Sequence, residues 1–201
     1  EIGKNAFISS SIKIWNKKVV NNNARITRSL IYEDIFFNDL FTDSRISGIS
    51  NLQVNPEFAA KLGSVYGAYI GKNKTIIVGR DIDDISNMIK RSITSGVLSS
   101  GVKVLDLQVI PIPMLRQELK NGNSEGGVFV RKSPFQKDIT DIIFFYKDGK
   151  DLSGSRTKSI ERLFYSDEYE RADFMNVGYI MYPERTNEKY REHFLGCIDV
   201  N

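Results

Sequence analysis

The sequence predicts a chain in two parts. The larger is a three-layer α/β/α domain with a mostly parallel four-stranded sheet, and it is preceded by the end of a hexapeptide-repeat β-helix. Three observations carry this. Strand and helix patterns alternate from residue 51 onward, apolar residues recur every six positions over the first 26 residues, and 41% hydrophobic with 26% charged residues is the balance of a folded globular protein. The expected division sets terminal coils and a linker at 1–42 and the α/β domain at 43–201.

The six-residue period runs through Ile2, Ile8, Ile14, Val20 and Ile26. Neither a helix nor an amphipathic strand repeats at that interval. The segments IGKNAFI (2–8) and VNNNARI (20–26) share an apolar residue, an asparagine, an alanine and a closing isoleucine at an offset of eighteen. Three hexapeptides make one turn of a parallel β-helix, so this offset stacks like upon like, with one aliphatic side chain per strand in the axis. A loose β meander with a chance period is the alternative. Trp15 is expected at a coil corner, and SLIYEDIFFNDLF (29–41) reads as a cap or connector. Terminal coils need stacked neighbours, which places the missing coils before Glu1. The absence of an initiating methionine or signal peptide there predicts a fragment of a longer polypeptide.

In VNPEFAAKLGSVYG (54–67), Asn55 is a candidate cap, Pro56 suits the first turn and Glu57 the positive end of the helix dipole. KTIIVGRD (74–81) reads as a strand. Asp83 or Asp84 then caps a helix whose apolar stripe is Ile85, Met88, Ile89, Ile93 and Val97, ended by Gly101. VKVLDLQVI (102–110) and GGVFVRK (126–132) are further strands, separated by a short proline-led helix at 111–120. Strands joined through helices run parallel. DIIFFYKDG (141–149) follows too closely for a crossover and is expected antiparallel to its predecessor, and helices near 153–164 and 185–198 close the unit.

Bulk properties exclude several functions. No apolar run is long enough to cross a bilayer. The net charge of +3 is thinly interspersed, with no basic stripe and no aromatic RNA-binding motif, so nucleic acid is not an expected partner. One cysteine, Cys197, excludes an internal disulfide framework and fits the cytoplasm. Cys197 and the single histidine, His193, both read as packing or surface residues of the last helix.

Ligands of open α/β sheets gather at the carboxyl ends of the parallel strands. Here those ends are GRD (79–81), PIP (111–113) and KSP (132–134), so Ser133 lies on the shared rim. Arg80, Arg131, Lys132 and Lys137 are the candidate phosphate-binding cations. Alternation along the strand opposes Arg131 and Lys132 acting together. DIDD (81–84) reads as a helix cap rather than a metal site, and no residue is assigned as a metal ligand.

The ordered set NPEFAAKLG, VGRD, GV.V.DL..IPIP and GGVFVRKSP, over about residues 43–199, resembles the first domain of the α-D-phosphohexomutases, the phosphomannomutase and phosphoglucomutase family. The hexapeptide coils and the junction that follows resemble proteins in which a mannose-1-phosphate guanylyltransferase, a left-handed β-helix and a phosphomannomutase-like region share one polypeptide. The resemblance implies that Ser133 stands at the position of the catalytic phosphoserine in the family's T-A-S-H-N-P loop. Pro134, Phe135 and Gln136 depart from that loop. Ser47, in RISG (45–48), stands where the family's G-I-R-G loop has arginine, and Asp83 stands where an arginine follows its G-R-D-T. It further implies magnesium in the full-length parent, held by a loop in a later domain and bound by nothing in this fragment, and a hexose phosphate as substrate.

Three readings follow. The chain is the serine-bearing domain of a mutase, inactive when isolated; or a degenerate, noncatalytic assembly or sugar-phosphate-sensing domain of a guanylyltransferase; or an oligomerisation element acting through the β-helix. The expected partners are the remaining domains of the parent, a hexose phosphate and, through the coils, further copies of the chain.

Overall fold

The structure, a computed structural model, describes residues 2–10, 14, 20, 25–26 and 40–196. The chain divides into two compact units, Glu1–Asn38 and Asp39–Asn201. In the first, β1 (Phe7–Ile8) and β2 (Arg25–Ile26) pair in parallel, Phe7 opposite Arg25 and Ile8 opposite Ile26, and an isolated parallel bridge joins Ile2 to Val20. All three pairs span eighteen residues, the offset of the repeated segments. Val20 is buried, whereas Ile2 is exposed. Trp15, Cys197 and residues 29–39 of the expected cap lie outside the described residues.

The second unit is built on β3 (Arg45–Ile49), α1 (Pro56–Ile70), β4 (Thr75–Arg80), α2 (Asp84–Ser99), β5 (Lys103–Val109), α3 (Ile112–Asn121), β6 (Gly126–Lys132), β7 (Ile139–Tyr146), α4 (Gly154–Ser166), β8 (Ile180–Met181) and α5 (Thr186–Gly196). Among the described residues its sheet is mixed and has six strands in the order β3-β7-β6-β4-β5-β8, not the four expected. The three strands joined through helices are parallel, and β7 runs antiparallel to both β6 and β3. The two unexpected strands are the edges. β3 is RISGI, short and interrupted by a serine and a glycine between its two isoleucines, and its backbone pairs with β7. β8 has only two residues, held to β5 by the same means, and carries no periodic signal.

The helix starts follow from local chemistry. The Asn55 side chain accepts from the Phe58 N–H at 2.8 Å, with Pro56 in the first turn, and the Asp83 carboxylate accepts from the Ile85 N–H at 3.1 Å. α1 and α2 cross closely: a Cβ on Gly63 would run into the Ile93 carbonyl, and one on Gly96 into the Ala60 carbonyl. Around these glycines the seam is sealed by serines, with the Ser100 hydroxyl donating to the Ser64 carbonyl at 2.8 Å and Ser64 bonded to Ser99 at 3.1 Å.

On one sheet face Tyr66 of α1 packs edge-on against Phe144, ring centroids 5.0 Å apart. On the other, Leu115 and Leu119 of α3 cover Ile77, Phe129 and Phe145. α4 buries Thr157 and Ile160. α5 closes the unit less than expected, with none of its described residues buried; Tyr190 leans on the α3 core and stacks on Phe194 at 6.5 Å.

Candidate functional site

The loop that carries Ser133 is set by β6 and by the turn after β4. Asp81 ties the two together. Its N–H donates to the Val130 carbonyl at 3.1 Å, one carboxylate oxygen accepts the Lys132 N–H at 2.7 Å, and the other accepts the Asp83 N–H at 3.0 Å. Beyond it, the Ser133 N–H donates to the Ile139 carbonyl at 2.8 Å, closing the loop onto β7. The Ser133 hydroxyl oxygen accepts a long 3.4 Å bond from the Phe135 N–H. The rim beside it is apolar and open: Ile82 is 85% and Phe135 82% exposed.

The candidate cations do not converge on the serine. Arg131 and Lys132 point to opposite faces of the sheet. Arg131 turns to the α3 face, where its Nε donates to Asp141 at 3.1 Å; the Asp141 side chain is 2% exposed and also accepts the Ser47 hydroxyl at 2.7 Å. Lys132 turns to the α2 face and pairs with Asp83 at 3.3 Å. Arg80 donates to its neighbour's carbonyl, Asp81 O, at 2.8 Å and lines a cleft beside α2. Lys137 is exposed and makes no ion pair among the described residues. No hydrogen bond or ion pair among the described residues joins any of the four to the Ser133 hydroxyl.

Asp141 is the residue that sequence reasoning missed. It sits directly between Arg131 of β6 and Ser47 of β3 in the strand register. Its signal was available: a lone carboxylate inside the apolar run ITDIIFFY needs a buried partner. Ser47, expected in a loop, is instead the β3 member of this cross-strand row.

The Asp81 and Asp83 carboxylates do not fit a divalent cation. Both oxygens of Asp81 accept backbone N–H groups, while Asp83 caps α2 with one oxygen and holds Lys132 with the other. No group of three or more histidine, cysteine or acidic side chains is placed to hold a metal among the described residues. His193 lies on α5, none of whose described residues is buried, sixty residues after Ser133 in the chain. No helix among the described residues is long and apolar enough to cross a membrane.

Comparison with known proteins places this rim in a lineage. Residues 38–171 match the phosphoglucomutase/phosphomannomutase alpha/beta/alpha domain I. The chain belongs to the phosphohexomutase family. It is 30% identical over 165 residues to a phosphoglucomutase/phosphomannomutase of Thermococcus kodakarensis, covering 80% of this chain and 36% of the relative. It is 28% identical over 162 residues to a phosphoglucosamine/phosphogalactosamine mutase of Sulfurisphaera tokodaii, again over 80% and 36%. Among solved structures, a phosphoglucomutase/phosphomannomutase family protein of Burkholderia thailandensis superposes with a TM-score of 0.69 at 16% identity, over 79% of this chain and 36% of that one. A phosphomannomutase-like structure from Thermus thermophilus gives 0.66 at 20% identity, over 80% and 36%. The fold is therefore that of a phosphohexomutase first domain, and the chain spans about a third of the length of the relatives it matches.

Proposed function

We propose that this chain is the first domain of a phosphohexomutase-like protein acting in hexose phosphate and sugar-nucleotide metabolism in the cytoplasm, and that Ser133 no longer serves there as a phosphoryl relay. The observation that carries this is the carboxylate count at the rim. Arg131 is held by Asp141 on the far face, Lys132 is held by Asp83, and Asp81 and Asp83 place negative charge beside the loop an incoming phosphoryl group must enter. Phosphoryl transfer rests on positioned positive charge, and here the two cations that precede the serine on β6, Arg131 and Lys132, are already neutralised. Pro134 and Phe135 supply neither an acid nor a base. The domain then serves as an assembly or sugar-phosphate-sensing element of its parent.

The eighteen-residue parallel register of the first unit supports a further part of the proposal: that these coils end a left-handed hexapeptide β-helix, which joins the domain to a sugar nucleotidyltransferase and brings copies of the protein together.

A second reading keeps Ser133 as the phosphoserine of a working mutase. Its support is the weakly engaged hydroxyl and the unpaired Lys137 close by in the loop. In that case magnesium and the remaining cations come from later domains, and the isolated chain is inactive under either reading. Mutase assays of the full-length protein, with magnesium and a hexose 1,6-bisphosphate, separate the two. The proposal expects the same low rate for wild type and Ser133→Ala; a rate that collapses in Ser133→Ala establishes the relay.

A further inference from the structure

A cleft of about 580 Å³ opens between α2 and the β5–β8 edge, and neither Ser133, Lys132 nor Lys137 lines it. Its polar floor is a buried ion pair, Lys90 to Asp106 at 2.5 Å, each side chain 7% exposed. The second Asp106 oxygen accepts the Gln108 N–H at 2.8 Å, which holds Gln108 at φ 61°, a left-handed conformation uncommon outside glycine. The β4–β5 register shifts at this point, and Gln108 joins the cleft wall.

The floor neutralises itself, so the charge of the cleft comes from Arg80 and Arg91. Neither forms an ion pair among the described residues, and the buried Arg80 Nε has no hydrogen-bond partner among them. A buried guanidinium donor without an acceptor is uncommon and costly. The Thr94 and Ser95 hydroxyls donate to the Lys90 and Arg91 carbonyls at 2.8 and 3.0 Å, which leaves their oxygens as acceptors. The half-open Tyr182 ring supplies an aromatic wall.

We propose that this cleft binds a small organic phosphate, its phosphate between Arg80 and Arg91 and its hydroxylated body against Tyr182. Guanidinium forks match phosphate oxygens, and the volume suits a compact ligand. The site is independent of the reading of Ser133 and stands whether or not that serine is a relay.

Calorimetric titration of the full chain at low salt, with inorganic phosphate and then glucose 6-phosphate as probes, tests it. Saturable binding of both is expected, tighter for the ester. Arg91→Gln, at an exposed position that does not threaten folding, weakens both by about tenfold, Arg91→Lys restores part of the loss, and Tyr182→Ala removes the preference for the ester. Lys158→Gln, at an exposed position on α4, leaves all of this unchanged. Absence of saturable binding by either probe, or an Arg91→Gln variant that binds like wild type, overturns the assignment.

Discussion

The seam between α1 and α2 and the rim at the end of β6 are built on opposite plans. At the seam, glycines and serines bring two helix backbones into contact, and each serine named there has a partner across or along the interface. At the rim, two large apolar side chains stand in solvent, and Arg131 and Lys132 are paired off on two separate faces. The seam tolerates almost no volume change. The rim holds its backbone through Asp81 and leaves its side chains replaceable. A domain built this way keeps its fold while the side chains at its rim change, because the residues that specify the fold lie at the seam and not at the rim.

The largest effect expected is at the seam. Gly96→Val drives a branched side chain into the α1 backbone and costs about 3 kcal/mol or more, read as a lowered urea midpoint; a loss below about 1 kcal/mol shows that the helices separate freely. Next comes Asp141→Ala, which strands the Arg131 guanidinium and the Ser47 hydroxyl. Because Arg131 keeps 24% of its side-chain exposure, about 2 kcal/mol is expected rather than the full penalty of a buried charge.

Tyr66→Phe acts in the other direction. The Tyr66 hydroxyl is buried without a hydrogen-bond partner among the described residues, so its removal stabilises the domain by up to about 1 kcal/mol. The same burial, with Tyr69 adding to it, pushes the Tyr66 phenol well above its ordinary range. The folded state thus keeps a proton that the unfolded chain releases above about pH 10. Stability from this group is complete below that pH and falls as pH rises past it, and the phenylalanine variant loses that part of the alkaline slope. The smallest effect is Lys132→Ala at the rim, about 0.5 kcal/mol or less because the pair with Asp83 is substantially exposed. A measured loss above about 1.5 kcal/mol would make the rim as structural as the seam.

How far the sequence revealed this depends on where each signal is written. The helix caps at Asn55 and Asp83 and the alternation of strands with helices lie in contiguous residues, and they were legible. The edge strands β3 and β8 were not, because what makes them strands is a partner distant in sequence, β7 for one and β5 for the other. The site divides in the same way. The position of Ser133 at a strand's carboxyl end could be read directly, and so could the opposed faces of Arg131 and Lys132. Their carboxylate partners could not be assigned: the sequence shows that Asp141 needs a buried partner, but that the partner is Arg131 follows only from cross-strand register, and Asp83 reaches Lys132 from 49 residues earlier in the chain. Arg80, grouped with the serine by sequence, instead faces the α2 cleft, since proximity in a motif does not determine which face of the sheet a side chain takes.

The most direct test of the central claim is peptide mass spectrometry of the full-length protein, purified natively and then incubated with magnesium and a hexose 1,6-bisphosphate, to read the occupancy of Ser133. An unmodified serine in both samples is the expected result. Near-stoichiometric phosphate on Ser133 would contradict the account, because it would mean that the loop carries a phosphoryl group despite Asp81 and Asp83, with cations brought from elsewhere in the protein.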